Sequence, residues 1–151
     1  MSLVALLTYL ITATAGLYLL TIWLIEYDHD FQTAAATRLP VPVISAHALL
    51  AVTGLVVWGV YLLTDASRLA WATVLILVLV AVLGFTMASR WVKVYRANAA
   101  PAGRRAPAGR TVGSAVPPER HFPVAVVIGH GLFAVATLTL VLLTAFGEGG
   151  S

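Results

Sequence analysis

The chain has 151 residues, of which 60% are hydrophobic and 10% are charged, and its mean hydropathy is +0.95. These values exclude an ordinary soluble domain and indicate an integral membrane protein. The absence of cysteine excludes disulfides, iron–sulfur ligation and thiol chemistry. The net charge is +3, but the basic residues lie beside apolar segments, where membrane topology explains them, so we expect no nucleic-acid partner.

Four apolar segments are long enough to cross a lipid bilayer. About 20 helical residues span the ~30 Å of hydrocarbon, and we predict spans at approximately 3–26, 40–63, 69–91 and 122–146. The predicted fold class is therefore all-α, an integral membrane four-helix bundle that forms a single membrane domain.

The first predicted span carries Thr8, Thr12, Ala15 and Gly16 at helical spacing on one face. Small residues in this pattern allow membrane helices to pack closely. No basic residue precedes the apolar run, so we expect a retained helix rather than a cleaved signal peptide.

The remaining spans are separated by a short turn and by one long segment. Pro40 and Pro42 open the second span, because proline is tolerated in the first turn of a helix. A turn at 64–68 makes the second and third spans an antiparallel hairpin. The segment 92–120 is rich in Ala, Pro, Gly and Arg, and we predict that it is a disordered basic loop.

The basic residues predict the orientation of the bundle. Only Arg68 lies on one side, whereas the other side holds Arg38, Arg90, Lys93, Arg96, Arg104, Arg105, Arg110 and Arg120. By the positive-inside rule the loop 92–120 is cytoplasmic and both termini are outside the cell membrane.

The second and fourth spans repeat one another. A shift of 83 positions places Pro40, Val41 and His47 on Pro123, Val124 and His130, and it also matches Val43, Leu49, Ala51, Val52 and Leu55 with identical residues. This repeat predicts that the bundle consists of two duplicated helical hairpins.

His47 and His130 are the principal candidate site residues. Their spans run in the same direction, and each histidine lies about 10 Å inside its helix at 1.5 Å per residue. A polar side chain at this depth faces the bundle interior. We therefore predict that the two imidazoles are the axial ligands of one haem near the cytoplasmic face.

Small and basic residues around these histidines complete the predicted site. The predicted haem-packing positions are Gly54, Gly84, Gly129 and Gly131. The predicted partners of the haem carboxylates are Arg38, Arg90 and Arg120, since guanidinium groups form charge-assisted pairs with carboxylates.

Four spans with a matched histidine pair resemble the cytochrome b class of membrane proteins, in which a four-helix bundle holds haem b between histidines of facing helices. The resemblance is architectural and includes no long diagnostic motif. It implies an electron-transfer subunit of a redox complex, with a redox protein or a quinone as its partner, rather than a complete enzyme. The two-haem pattern of that class needs four histidines at two depths, whereas His29 and His121 lie at span ends, where they are candidates for a second, more exposed haem or metal site.

Two other functions stay open at this point. In a haem-free membrane anchor or assembly subunit, the histidines would only form hydrogen bonds between helices. Metal or proton transport is the third alternative, although such proteins usually carry carboxylates at mid-membrane, and the predicted spans contain almost none.

Overall fold

The structure, a computed structural model, describes residues 1–29, 39–99 and 118–148. These residues form four long α-helices and one short 3-10 turn: α1 (Ser2–His29), α2 (Val41–Thr64), α3 (Ser67–Ala99), the 3-10 turn (Pro118–His121) and α4 (Val124–Glu148). All four helices are long and apolar enough to cross a membrane. The predicted all-α, four-span fold is confirmed.

Local chemistry sets both ends of α2. The helix begins after Pro40, whose φ of −65° and ψ of 121° are extended, and Pro42 lies in its first turn. It ends at Thr64, and the C-cap residue Asp65 adopts the left-handed φ of 51° and donates its backbone N–H to the carbonyl of Tyr61 at 2.8 Å. This cap reverses the chain within two residues, so α3 starts at Ser67 and packs back along α2.

Helix α3 continues past the predicted end of its span. The sequence predicted disorder from residue 92, but the helix extends to Ala99, and Pro118–His121 is also ordered as a 3-10 turn. The physical reason is that the apolar face persists, because Val94 is buried and the ring of Tyr95 stacks on Trp91 with 5.5 Å between centroids. The central part of the predicted loop, 100–117, lies outside the described residues.

The helices form an up-and-down bundle in chain order. Helix α1 packs mainly on α4, and α2 mainly on α3, while α3–α4 and α1–α2 are the other neighbouring pairs. Helices α2 and α4 therefore face each other across the bundle. The 3-10 turn packs on α1 and α3 at the end where those helices finish, which we call the basic end because exposed Arg90, Lys93, Arg96 and Arg120 lie there. The opposite end, with exposed Asp65 and Arg68, is the distal end.

The α1–α2 hairpin and the α3–α4 hairpin bury equivalent positions. Trp58 and its repeat partner Val141 are both fully buried, and Tyr61 and Thr144 are buried in the same way one turn further along. A different shift, of 68 positions, relates α1 to α3 and aligns the buried Trp23 with the buried Trp91. Residues that the repeat aligns are thus buried alike, and the duplication itself stays a prediction.

Two apolar clusters fill the bundle at different levels. The distal core comprises Ala5, Tyr9, Trp58, Tyr61, Ala70, Val74, Leu77, Val141 and Ala145. The basic-end core comprises Trp23, Leu39 and Ile44, with Leu20, Met87 and Phe122 packed against it. His47 lies along α2 between Ile44 and Trp58, so the candidate site occupies the layer between the two cores.

Candidate functional site between two imidazoles

His47 and His130 meet inside the bundle. Their ring centroids are 6.3 Å apart, and the ring planes are inclined at 61°. Each histidine is the seventh residue of its helix, about 9 Å along the axis from the first. Because α2 and α4 run in the same direction, equal distances along the helices bring the rings to one level.

Each imidazole is held by a backbone carbonyl of a neighbouring helix. Nδ1 of His47 is 3.0 Å from the carbonyl oxygen of Val80 in α3, and Nδ1 of His130 is 3.0 Å from the carbonyl oxygen of Thr12 in α1. A carbonyl can only accept a hydrogen bond, so Nδ1 carries the proton in both rings. In the neutral tautomer the lone pair is then on Nε2, the arrangement that metal-ligating histidines adopt.

The Nε2 atoms have no competing partner nearby. Among the residues that the structure describes, neither Nε2 atom has a hydrogen-bond partner, and both rings are only partly buried. Each ring is thus fixed at one nitrogen and open to coordination at the other.

A glycine lies against each ring. A Cβ added to Gly16 would be 2.9 Å from Cε1 of His130, and one added to Gly84 would be 3.1 Å from Cε1 of His47. Each glycine is four residues after the carbonyl that accepts the hydrogen bond, one turn further along the same face. The missing side chain therefore lets the imidazole edge come close enough to the helix to reach that carbonyl.

Three residues of this arrangement were not predicted as site residues from the sequence: Thr12, Gly16 and Val80. Gly16 was assigned only to helix packing, and the other two act through backbone atoms, which residue type does not reveal. A signal for Gly16 did exist, because the same shift of 68 positions that aligns Trp23 with Trp91 also aligns Gly16 with Gly84. Gly84, which was predicted to pack against the haem, lies against the His47 ring in the structure.

Polar groups also line the distal side of the site. The hydroxyls of Thr12 and Thr137 are 3.4 Å apart, and one donates to the other. The hydroxyl that accepts keeps its own proton for a carbonyl of its own helix. The Tyr9 hydroxyl donates to the carbonyl of Ala51 at 2.8 Å. These bonds join α1 to both histidine-bearing helices just beyond the imidazoles.

The other predicted glycines lie elsewhere. A Cβ on Gly54 would meet the Tyr9 hydroxyl and Ile76. This glycine therefore allows α1, α2 and α3 to pack closely at this level. A Cβ on Gly129 or Gly131 would meet nothing within 4 Å. These two residues flank His130 in sequence but do not contact a neighbouring helix in the described structure.

The structure describes two of the three arginines that were predicted to pair with the haem carboxylates. Arg90 near the end of α3 and Arg120 in the 3-10 turn are both exposed at the basic end. Arg38 lies outside the described residues. The structure thus puts two of the three candidate carboxylate partners at the end of the bundle nearer to the imidazoles.

The predicted second site gains no further ligand. Nδ1 of His121 is 3.4 Å from a carboxylate oxygen of Glu26, and both side chains are partly exposed. The side chain of His29 lies outside what the structure describes. Within the described ranges, no group of three or more His, Cys, Asp or Glu side chains could hold a metal ion.

Comparison with protein-family models, with curated proteins and with solved structures finds no match for this chain. The chemistry of the site must therefore be inferred from its own geometry.

The distance between the imidazole centroids is compatible with a shared metal, as it is with a direct edge-to-face contact of the two rings. A metal bound in line between two imidazoles makes two metal–nitrogen bonds of about 2.0 Å, and each nitrogen is ~1.2 Å from the centre of its ring. The two ring centroids would then be about 6.4 Å apart. The observed value is 6.3 Å. The donor set also fits a haem, because two neutral imidazoles are sufficient as its axial ligands, whereas an ordinary protein metal site needs more ligands than these two.

Proposed function

We propose that this protein is a small b-type cytochrome that transfers single electrons through one haem held by His47 and His130. The observation that carries this proposal is the pair of imidazoles with centroids 6.3 Å apart, each fixed through Nδ1 by a carbonyl of a neighbouring helix. The pair leaves two Nε2 lone pairs at one level in an apolar bundle.

The backbone of α1 and α3 orients the two ligands. The carbonyls of Thr12 and Val80 select the Nδ1-protonated tautomer, and the hydrogen bonds make the imidazoles more basic ligands. Gly16 and Gly84 provide the room that these bonds require. Arg90, Arg120 and Arg38 are the proposed partners of the haem carboxylates at the basic end.

The proposed cofactor determines the reaction class. A haem with both axial positions filled by histidine has no open coordination site, so it supplies one-electron transfer rather than oxygen activation. The chain itself contributes an apolar enclosure, because the basic-end core and the distal core lie on either side of the imidazoles. This enclosure limits access of water to the site.

The proposed setting is a cell membrane, with the basic end in the cytoplasm. Four apolar helices suit a lipid bilayer, and the positive charge at one end follows the positive-inside rule. The proposed partner is a redox protein or a membrane complex, or a quinone that diffuses in the bilayer.

Optical spectroscopy of the purified protein tests this function. We expect a sharp haem b band in the reduced-minus-oxidised spectrum, and we expect His47→Ala and His130→Ala to abolish the low-spin signal. His121→Ala is the matched control, because His121 is partly exposed and pairs with Glu26, and His29→Ala is a second control. If all four variants keep the spectrum of the unmodified protein, the ligand assignment is wrong.

A second function is favoured by the hydrogen bonds themselves. Each histidine already links two helices through its Nδ1 atom, and such bonds stabilise membrane bundles by about 1 kcal/mol each. The protein would then be a haem-free anchor or assembly subunit. A colourless preparation without bound transition metal, whose histidine variants are less stable, would favour this function over the cytochrome.

A further inference from the structure

We propose that electrons enter and leave the site only through the basic end, because the distal half of the bundle is a long, packed and mostly apolar core. This inference rests on the proposed haem between His47 and His130. It assigns both the donor and the acceptor to one side of the membrane and excludes transmembrane electron transfer by this chain alone.

The first observation is the unequal depth of the site. His47 is six residues from the start of α2 at Val41 and 17 from its end at Thr64, distances of about 9 Å and ~26 Å along the axis. His130 is placed alike in α4, six residues after Val124 and 18 before Glu148. The distal surface is therefore nearly three times as far from the imidazoles as the basic end.

The second observation is how the distal half is filled. Trp58 and Val141, which are equivalent in the repeat, are both fully buried, and so are Ala5, Ala70 and Ala145 on the other helices. Tyr61 and Thr144, one turn further out, are also buried. Close packing of this kind has no room for a flat macrocycle, so the duplication that doubled the histidine did not produce a second cofactor layer.

The third observation is the distribution of ligand residues in the whole sequence. By their positions in the sequence, all four histidines belong to the basic-end halves of the spans or to the connections at that end: His29, His47, His121 and His130. The sequence contains no cysteine. Of the two methionines, Met87 packs in the basic-end core and Met1 is the first residue. The distal core therefore contains no histidine, cysteine or methionine.

These observations restrict the partners. Tunnelling falls exponentially with distance, so exchange over the short path through the basic end is far faster than exchange through the distal core. With a haem held by His47 and His130, one electron would pass from a reduced one-electron carrier to the site and then to an oxidised carrier, and no covalent bond would form or break. Both carriers must approach from the basic side or from the adjacent leaflet.

Liposomes that contain the haem-loaded full-length protein test the inference. The orientation is read from Lys93→Cys and Asp65→Cys variants, which mark the basic and distal ends with exposed positions in a chain that has no other cysteine. The site is reduced, and ferricyanide, an oxidant that does not cross the membrane, is added outside. We expect molecules whose basic end faces outward to be oxidised at least tenfold faster than those whose distal end faces outward.

The accessibility of an introduced thiol tests the packing of the distal half without any need for bound haem. In Thr144→Cys the thiol replaces a buried hydroxyl, and we expect it to resist a membrane-impermeant maleimide, whereas Asp65→Cys at the same end should react.

The outcomes separate this inference from the proposed function. A coloured protein that ferricyanide oxidises equally fast from both ends, or a Thr144→Cys thiol that reacts as fast as the Asp65→Cys thiol, overturns this inference and leaves the haem assignment standing. A colourless protein overturns the haem assignment, and this inference with it.

Discussion

At the scale of single residues, the site depends on two contacts between an imidazole and a glycine. Gly16 and Gly84 allow His130 and His47 to approach the carbonyls of Thr12 and Val80. An imidazole displaced from its carbonyl would lose both its fixed tautomer and its orientation. The glycines are therefore positioning residues for the proposed ligands.

Replacing Gly16 by Ala should disturb this arrangement. The new Cβ would be 2.9 Å from Cε1 of His130, so the ring or the helix must shift, and overpacking of this kind costs about 1–3 kcal/mol. We expect lower thermal stability and a changed or weakened haem spectrum. Gly129→Ala is the matched control, since its Cβ would meet nothing within 4 Å; an altered spectrum for Gly129→Ala with an unchanged one for Gly16→Ala would contradict the assignment.

Tyr9 offers a test of the polar bonds beside the site. Its hydroxyl is buried and donates to the carbonyl of Ala51, and removing one such bond in a membrane bundle costs on the order of 1 kcal/mol. We expect Tyr9→Phe to lower the free energy of unfolding in detergent by that amount. Tyr18→Phe, the same change at an exposed position of α1, should have no effect, and equal losses in both variants would refute this explanation.

At the scale of helices and turns, the α2–α3 connection is set by one backbone conformation. Asp65 has a φ of 51°, which few residues other than glycine, asparagine and aspartate adopt readily. The N–H bond of this residue to Tyr61 ends α2 and lets α3 start two residues later. The register of the hairpin, and thus the level of Gly84 beside His47, depends on this turn.

Substitution of Asp65 should follow this backbone preference. We expect Asp65→Val to destabilise the protein by about 1–2 kcal/mol, because a β-branched residue is strained in the left-handed region. Asp65→Gly should be neutral or slightly stabilising, since glycine adopts the conformation freely. Thermal unfolding of the two variants measures the difference, and a Val variant as stable as the Gly variant would show that the turn is not strained.

At the scale of the whole molecule, the bundle is asymmetric along its axis. The imidazoles, the basic side chains and the 3-10 turn with its buried Glu119 belong to one end, while the other end is an apolar core. The repeated helices α2 and α4 thus contribute to one proposed site near the basic end. The level of that site is fixed by the position of the histidine in the repeated helix.

The positive-inside rule gives this asymmetry a direction in the cell. We expect Lys93→Cys to be shielded from an impermeant thiol reagent added to intact cells and to react only after the membrane is opened, whereas Asp65→Cys should react in intact cells. The cysteine-free background makes each signal specific. The reverse pattern would place the basic end outside and invert the predicted topology.

Composition and periodicity determined the four spans, the helical hairpins and the level of the two histidines. These features follow from local and additive properties: the apolar length that a bilayer requires, the 1.5 Å rise per residue, and a repeat that copies a histidine together with its helix. The end of α3 was predicted eight residues early, because the low-complexity composition that follows hid an apolar face that includes Val94.

The groups that surround the imidazoles follow from the packing of the four helices and not from local sequence. The hydrogen bonds to Thr12 and Val80 use backbone carbonyls, which every residue has, so sequence cannot distinguish them. Gly16 contacts an imidazole of another helix and Gly129 does not, because of the face that each helix presents to its neighbour. This is a property of the packed bundle rather than of any one segment. The level of the site along the helices could be predicted from the sequence. The residues that surround the site could not, because helix packing is a relation between segments far apart in the chain.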